Sequence, residues 1–181
     1  RIIEYIASKN KPYIIATGAS NLNEVISAVR AGLDINSNMS LMQCNTNYTG
    51  SDDNFKFINL NVLKTYSQLF PDLVLGLSDH TPGHATTLGA IALGAKIIEK
   101  HFTDDNTRTG PDHSFAMNPS SWKEMIDRSR ELEASLGSTK KRIEDNEKET
   151  VVLQRRAIRL KKAVSIGDIL CNEHLVELRP C

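Results

Sequence analysis

The chain has 181 residues, 40% of them hydrophobic, and its 22 basic and 22 acidic side chains cancel to a formal charge of zero. That length holds one domain and part of another, the missing basic excess argues against nucleic acid as a partner, and no apolar run nears the roughly 20 residues of a membrane-spanning helix. Three cysteines, Cys44, Cys171 and Cys181, form neither a CxxC pair nor an even framework, which favours free thiols in a reducing, cytoplasmic compartment over a secreted disulfide scaffold. The chain opens on Arg1 and stops at Cys181, just after Arg179-Pro180, so both ends read as cuts.

Ile2 to Ser8 has helical spacing and leads through Pro12 into a short apolar strand, Tyr13-Ile-Ile-Ala-Thr17, which Gly18 breaks. Ser20 is placed to cap a helix that runs to Ala31 and ends at Gly32, with Glu24 nearly where a capping box needs it. Ser40 to Cys44 is the next strand, followed by the polar loop from Asn45 to Asp53. From Asn54 to Phe70 the apolar positions Phe55, Ile58, Val62, Leu63, Tyr66 and Leu69 predict one amphipathic helix, stopped by Pro71.

Leu73 to Leu77 reads as a buried parallel strand ending in the polar residues Ser78-Asp-His-Thr81, and Lys96 to Phe102 as a second. The Ala- and Leu-rich segment Ala85 to Ala95 is the crossover helix between them. Side chains alternate along a strand, so Ser78 and His80 share one face while Glu99 and His101 share the corresponding face of the neighbour. Two imidazoles and a carboxylate can therefore converge at strand carboxyl ends, where α/β folds bind ligands. Such a pair, with positions left open for water or substrate, suits Mn²⁺, Zn²⁺ or Fe²⁺; on spacing alone they are equally core or surface histidines. Asn118 and Pro119 then start a helix whose apolar residues Trp122, Met125, Ile126 and Leu132 predict a buried face.

Four strands beginning near residues 13, 41, 73 and 96, each followed by a helix, give the rhythm of half a (β/α)₈ barrel. Half a barrel exposes two sheet edges, so four more units in the parent protein, or a partner chain, are expected to close it. Residues 1–137 form this part and 138–152, charged and nearly free of apolar side chains, a linker. Residues 153–181 begin a small β-rich module with strands at Arg156 to Leu160 and Leu175 to Leu178 and a turn at Gly167-Asp168.

The motifs GLSDHTPG, IIEKHFTDD and GPDHSFAMNP, followed by SIGDIL and LRP, resemble the sialic acid synthase family, enzymes that condense phosphoenolpyruvate with an N-acyl hexosamine. The resemblance runs from Pro12 to nearly the end of the chain. It implies an α/β fold: the C-terminal half of a (β/α)₈ TIM barrel, then the start of an antifreeze-like (SAF) domain. It further implies a C–C bond-forming transferase, working as a domain-swapped homodimer in which the small domain reaches over the partner's barrel. His80 and His101 would hold a catalytic Mn²⁺ or Mg²⁺. Asp112 and Tyr48 match positions contacting the acceptor sugar, Ser78 and Thr46 positions contacting phosphoenolpyruvate, and Arg179 the arginine sent into the partner's site. Glu99 is the candidate to orient a water or the metal shell.

Two departures stand out: Ala16 where family members often carry a serine that contacts phosphoenolpyruvate, and the unusual loop Cys44-Asn-Thr-Asn-Tyr48. Without the resemblance, Asp112 would simply satisfy amides in a tight turn, Tyr48 pack on the rim and Arg179 be a solvated charge. Cys44 reads as a small buried hydrophobe. His84, His113 and His174 carry no assigned role. Other readings are a metal-dependent aldolase or hydrolase on the same barrel and a non-catalytic fragment; with half the site absent, these 181 residues alone are expected to be inactive.

Overall fold

Four short apolar runs make one parallel sheet, paired in chain order: β1 (Tyr13–Ala16), β2 (Met39–Cys44), β3 (Val74–Asp79) and β4 (Ile97–Lys100). The computed structural model describes residues 1–181, in two units, Arg1–Gly137 and Ser138–Cys181. In the first, α1 (Ile2–Ala7), α2 (Leu22–Leu33), α3 (Val62–Leu69), α4 (Ala85–Ala92) and α5 (Pro119–Leu136) alternate with the strands. This is an α/β half-barrel topology, with the edges of β1 and β4 unpaired.

Local chemistry moved several of the expected boundaries. The cap of α2 is Asn21, not Ser20: its side chain accepts from the Asn23 and Glu24 amides at 3.0 and 3.2 Å, and Glu24 Oε2 accepts from Asn21 N at 2.7 Å. Ser20 turns back instead, donating to Gly18 O. Nor does Gly32 end that helix. It lies within it, buried, where a Cβ would come 2.5 Å from Tyr13 Oη, so it lets α2 approach β1 closely.

The single helix expected over 54–70 is two elements, a 3₁₀ turn at Asp52–Phe57 and then α3. Asn59 divides them. Its φ of +51° is left-handed, which Asn tolerates better than most residues, and its amide donates to Phe57 O at 3.1 Å. Ile58 and Leu63 still reach the core on either side of the break. The crossover α4 stops at Ala92 rather than Ala95, because Gly94 takes φ +97° and Ala95 N donates to Ala90 O at 2.9 Å. Asn118 and Pro119 start α5 as expected, but of its apolar residues only Met125 is fully buried; Ile126 is 42% exposed and Trp122 turns edge-on to Phe102.

The core lies on one face of the sheet, where Leu41, Leu75 and Leu77 meet Val25, Val29, Leu63, Tyr66 and Ala90 of the helices. On the other face no helix covers Ile14 or Val74, which are 51% and 44% exposed. That face is where the two histidines stand.

The second unit is a small one. α6 (Lys148–Gln154) begins inside the stretch read as a linker and runs past its expected end at 152, and β5 (Ala157–Leu160) pairs antiparallel with β6 (Leu175–Leu178). Between them Gly167, at φ +99°, makes the expected turn, with Asp168 Oδ2 accepting from Ser165 N at 2.7 Å.

At Gly76, in the middle of β3, an added Cβ would meet Ile97 O at 2.7 Å and Met42 Cγ at 2.9 Å. Met42 is fully buried across that gap. Gly76→Ala is therefore expected to destabilise the chain by about 1–3 kcal/mol, since strand backbone cannot yield cheaply. Urea unfolding should show a lower midpoint with the slope unchanged.

Candidate active site

The register that pairs Ser78 with Glu99 and Asp79 with Lys100 sets the next residues, His80 and His101, side by side at the carboxyl ends of β3 and β4. Their ring centroids are 5.0 Å apart. One step down the same face, Ser78 Oγ donates to Glu99 Oε1 at 2.7 Å. The alternation of strand side chains thus brings together the four residues that sequence spacing put on one face.

Each imidazole is held from behind through Nδ1. His80 Nδ1 lies 2.8 Å from Asn45 O; a carbonyl only accepts, so Nδ1 carries a proton, and of the two neutral tautomers the contact selects the one with its lone pair on Nε2. His101 Nδ1 lies 3.2 Å from Asp112 Oδ2, a contact that favours the same tautomer. Oxygen acceptors behind Nδ1 with Nε2 free is the arrangement of histidines that ligate metals. No group of three or more His, Cys, Asp or Glu side chains is placed to hold an ion, so a cation here would have these two protein ligands and take the rest of its shell from water or substrate.

Two loops wall the site. After β2, Tyr48 lays its ring 4.1 Å from His80 and 5.6 Å from His101, centroid to centroid, while remaining 53% exposed. Thr46 is exposed in the same loop, its methyl pressed where a Gly18 Cβ would be. After β4, Phe115 stands 5.2 Å from His101 and against Gly50, joining the two loops. Asp112, half exposed, accepts from the Phe115 and Ala116 amides through its backbone carbonyl. Ala16, at the end of β1, is exposed and registers with Met42. Arg179 follows β6 in the second unit.

Sequence reading missed the carpentry of the second loop. Asn106 Nδ2 donates to His113 O and Ala116 O, both at 2.8 Å, and its Oδ1 accepts from Asn118 Nδ2, also at 2.8 Å. Thr103 Oγ1 lies 2.7 Å from His113 Nδ1. These bonds hold Asp112 and Phe115 beside His101. The only sequence signal was a run of Asn, Thr and Asp between a strand and a capped helix, which announces a loop but no partners. Also missed was a buried pair, Asp79 and Lys100, directly behind the histidines.

Cys44 registers with Ser78 and is buried beside it. Burial pushes its thiol above the ordinary range; a hydrogen bond with Ser78 opposes this, and the Glu99 and Asp79 carboxylates reinforce it.

Residues 1–141 match the model of the NeuB family. The N,N'-diacetyllegionaminic acid synthase of Legionella pneumophila is 36% identical over 183 residues, which cover 98% of this chain and 50% of that protein. The crystal structure of the spore coat polysaccharide biosynthesis protein SpsE of Bacillus subtilis superposes with a TM-score of 0.67 at 32% identity, over 97% of this chain and 52% of the other. The N-acetylneuraminic acid synthetase of Leptospira borgpetersenii, solved with citrate, gives 0.74 at 27% identity, over 83% and 51%. The chain spans about half the length of the curated relatives it matches.

The state of Cys44 sets an order of thiol reactivity. A buried thiol with a raised pKa supplies little thiolate at pH 8, whereas Cys171 and Cys181 are exposed. Iodoacetamide at pH 8, followed by mass spectrometry, is expected to label those two at least about tenfold faster than Cys44. Equal labelling would contradict the buried geometry.

Proposed function

Since the chain belongs to the NeuB family, the sialic acid synthases that its motifs resemble, we propose that it supplies the histidine-bearing half of a barrel condensing phosphoenolpyruvate with an N-acyl hexosamine to a nonulosonic acid and phosphate. The observation that carries this reading is the imidazole pair, His80 and His101, with centroids 5.0 Å apart and each Nδ1 backed by oxygen. Two neighbouring imidazoles with Nε2 unengaged and no third protein ligand suit Mn²⁺ or Mg²⁺, with Mn²⁺ better matched to nitrogen donors. When bound, the ion would polarise the open-chain sugar's carbonyl as a Lewis acid.

The reaction joins carbon 3 of phosphoenolpyruvate to that carbonyl carbon. Water then adds at carbon 2 and phosphate departs, leaving a 2-keto acid. Positioning carries much of such a bimolecular step, and the side chains around the histidines divide that labour. Glu99, fixed by Ser78 at 2.7 Å, orients water on the face where carbon 2 would lie. Thr46 offers a hydroxyl to the phosphate or carboxylate of phosphoenolpyruvate, and Ser78 does so when its single proton turns from Glu99 to the ligand. Tyr48 supplies a ring face and Asp112 a carboxylate to the hydroxyls of the sugar. With Ala16 in place of a hydroxyl donor, donor binding leans more on Ser78 and Thr46.

Residues 153–181 are assigned to the start of an antifreeze-like (SAF) domain after a linker at 138–152, and Arg179 to the sugar of a partner subunit in a domain-swapped homodimer. No helix is long and apolar enough to cross a membrane; a cytoplasmic enzyme is proposed.

The test uses the protein carrying both barrel halves, with Mn²⁺, phosphoenolpyruvate and a panel of N-acyl hexosamines. Phosphate release is expected only when both substrates are present, with a product mass equal to their sum plus water less phosphoric acid. His80→Ala and His101→Ala should each lower kcat/KM by at least about 100-fold. Phosphate released without an amino sugar would instead indicate a hydrolase.

A further inference from the structure

Behind the imidazoles, on the sheet face that packs against α4, lies the only ion pair with both side chains buried: Lys100 Nζ to Asp79 Oδ2 at 2.6 Å, the two being 2% and 0% exposed. A buried pair persists where further hydrogen bonds support both of its members, and here they do. Asp79 Oδ2 also accepts from Thr86 Oγ1 at 2.5 Å, and Thr81 donates through N and Oγ1 to Oδ1 at 3.1 and 2.9 Å. Lys100 Nζ makes a second bond, to Thr81 O, at 2.7 Å. The network ties together the end of β3, the loop after it, the first turn of α4 and the end of β4.

Its place in the chain gives it a consequence for the site. Asp79 and Thr81 flank His80, and Lys100 precedes His101. Both histidines therefore have their backbone pinned on the side away from solvent, and the ion pair bridges the two strands one residue below the rings. Coulomb attraction in a dry interior resists separation far more than the same pair would at the surface. We propose that Asp79 and Lys100 are positioning residues that set the height and separation of His80 and His101, and through them the affinity for a divalent cation. The proposal rests on the reading that the two imidazoles share that cation.

The test pairs Asp79→Asn with Lys100→Met in the full chain, removing both charges while keeping volume, because either change alone strands a buried charge. In the folded double variant Mn²⁺ affinity, read by electron paramagnetic resonance of the free ion, is expected to fall at least about tenfold. In metal-free protein, long-range ¹H–¹⁵N spectra should show the Nδ1–H tautomer of both rings in the parent and exchange between tautomers in the variant. Parent-like affinity and parent-like tautomers would overturn the proposal. A parent that takes no Mn²⁺ would sink the metal reading instead, and the metal-free spectra would still decide this one.

Thr86 guards against a double variant that does not fold. Thr86→Val keeps the volume and loses the donor, so binding should weaken about threefold. Thr86→Ser keeps the donor and should bind as the parent does. The reverse order would mean that packing is what matters, and would overturn the assignment.

Discussion

Two strand ends held at one height govern the site. The parallel register puts Ser78 opposite Glu99 and Asp79 opposite Lys100, so one face of the ladder carries the chemistry and the other anchors it. On the front, His80 and His101 stand with centroids 5.0 Å apart; on the back, Asp79 and Lys100 are buried, each with hydrogen bonds beyond the ion pair. A one-residue slip of β4 would bring Lys100 to the front and bury His101, and a slip of β3 would do the same with Asp79 and His80. Every other feature of the site presupposes that this register holds.

The loops add to what the strands begin. Asn45 reaches His80 through a backbone carbonyl, which selects the tautomer without adding charge, whereas Asp112 approaches His101 with a carboxylate. The two rings thus have unequal surroundings: one is buried against backbone, the other remains a quarter exposed beside an anion. Phe115 packs against Gly50 and close to His101, so the loop after β2 and the loop after β4 meet in one wall. Tyr48 and Asp112 both stand beside His101, one from each loop.

On the inner face of the sheet, Ile14 and Val74 are exposed while the helix-covered face is dry. A sheet with two unpaired edges and exposed apolar residues on its open face has room for further strands. This matches the lengths of its relatives, about twice that of the chain.

From the residues alone, the four strand and helix alternations, the caps at Asn118 and Pro119 and the shared face of Ser78, His80, Glu99 and His101 could all be read, because periodicity and capping are local. The motifs were enough to name the family. Tertiary structure decided what depends on distant partners. Gly32 could pass as a helix stop until Tyr13 was seen packed on it, and Asn59 broke a helix whose apolar spacing was continuous, because its own amide found Phe57 O. The acceptors behind His80 and His101 come from other loops, and the pairing of Asp79 with Lys100 spans 21 residues. A sequence lists donors and acceptors in order along the chain, but which of them meet is settled only when the strands pack side by side and exclude water from what lies between.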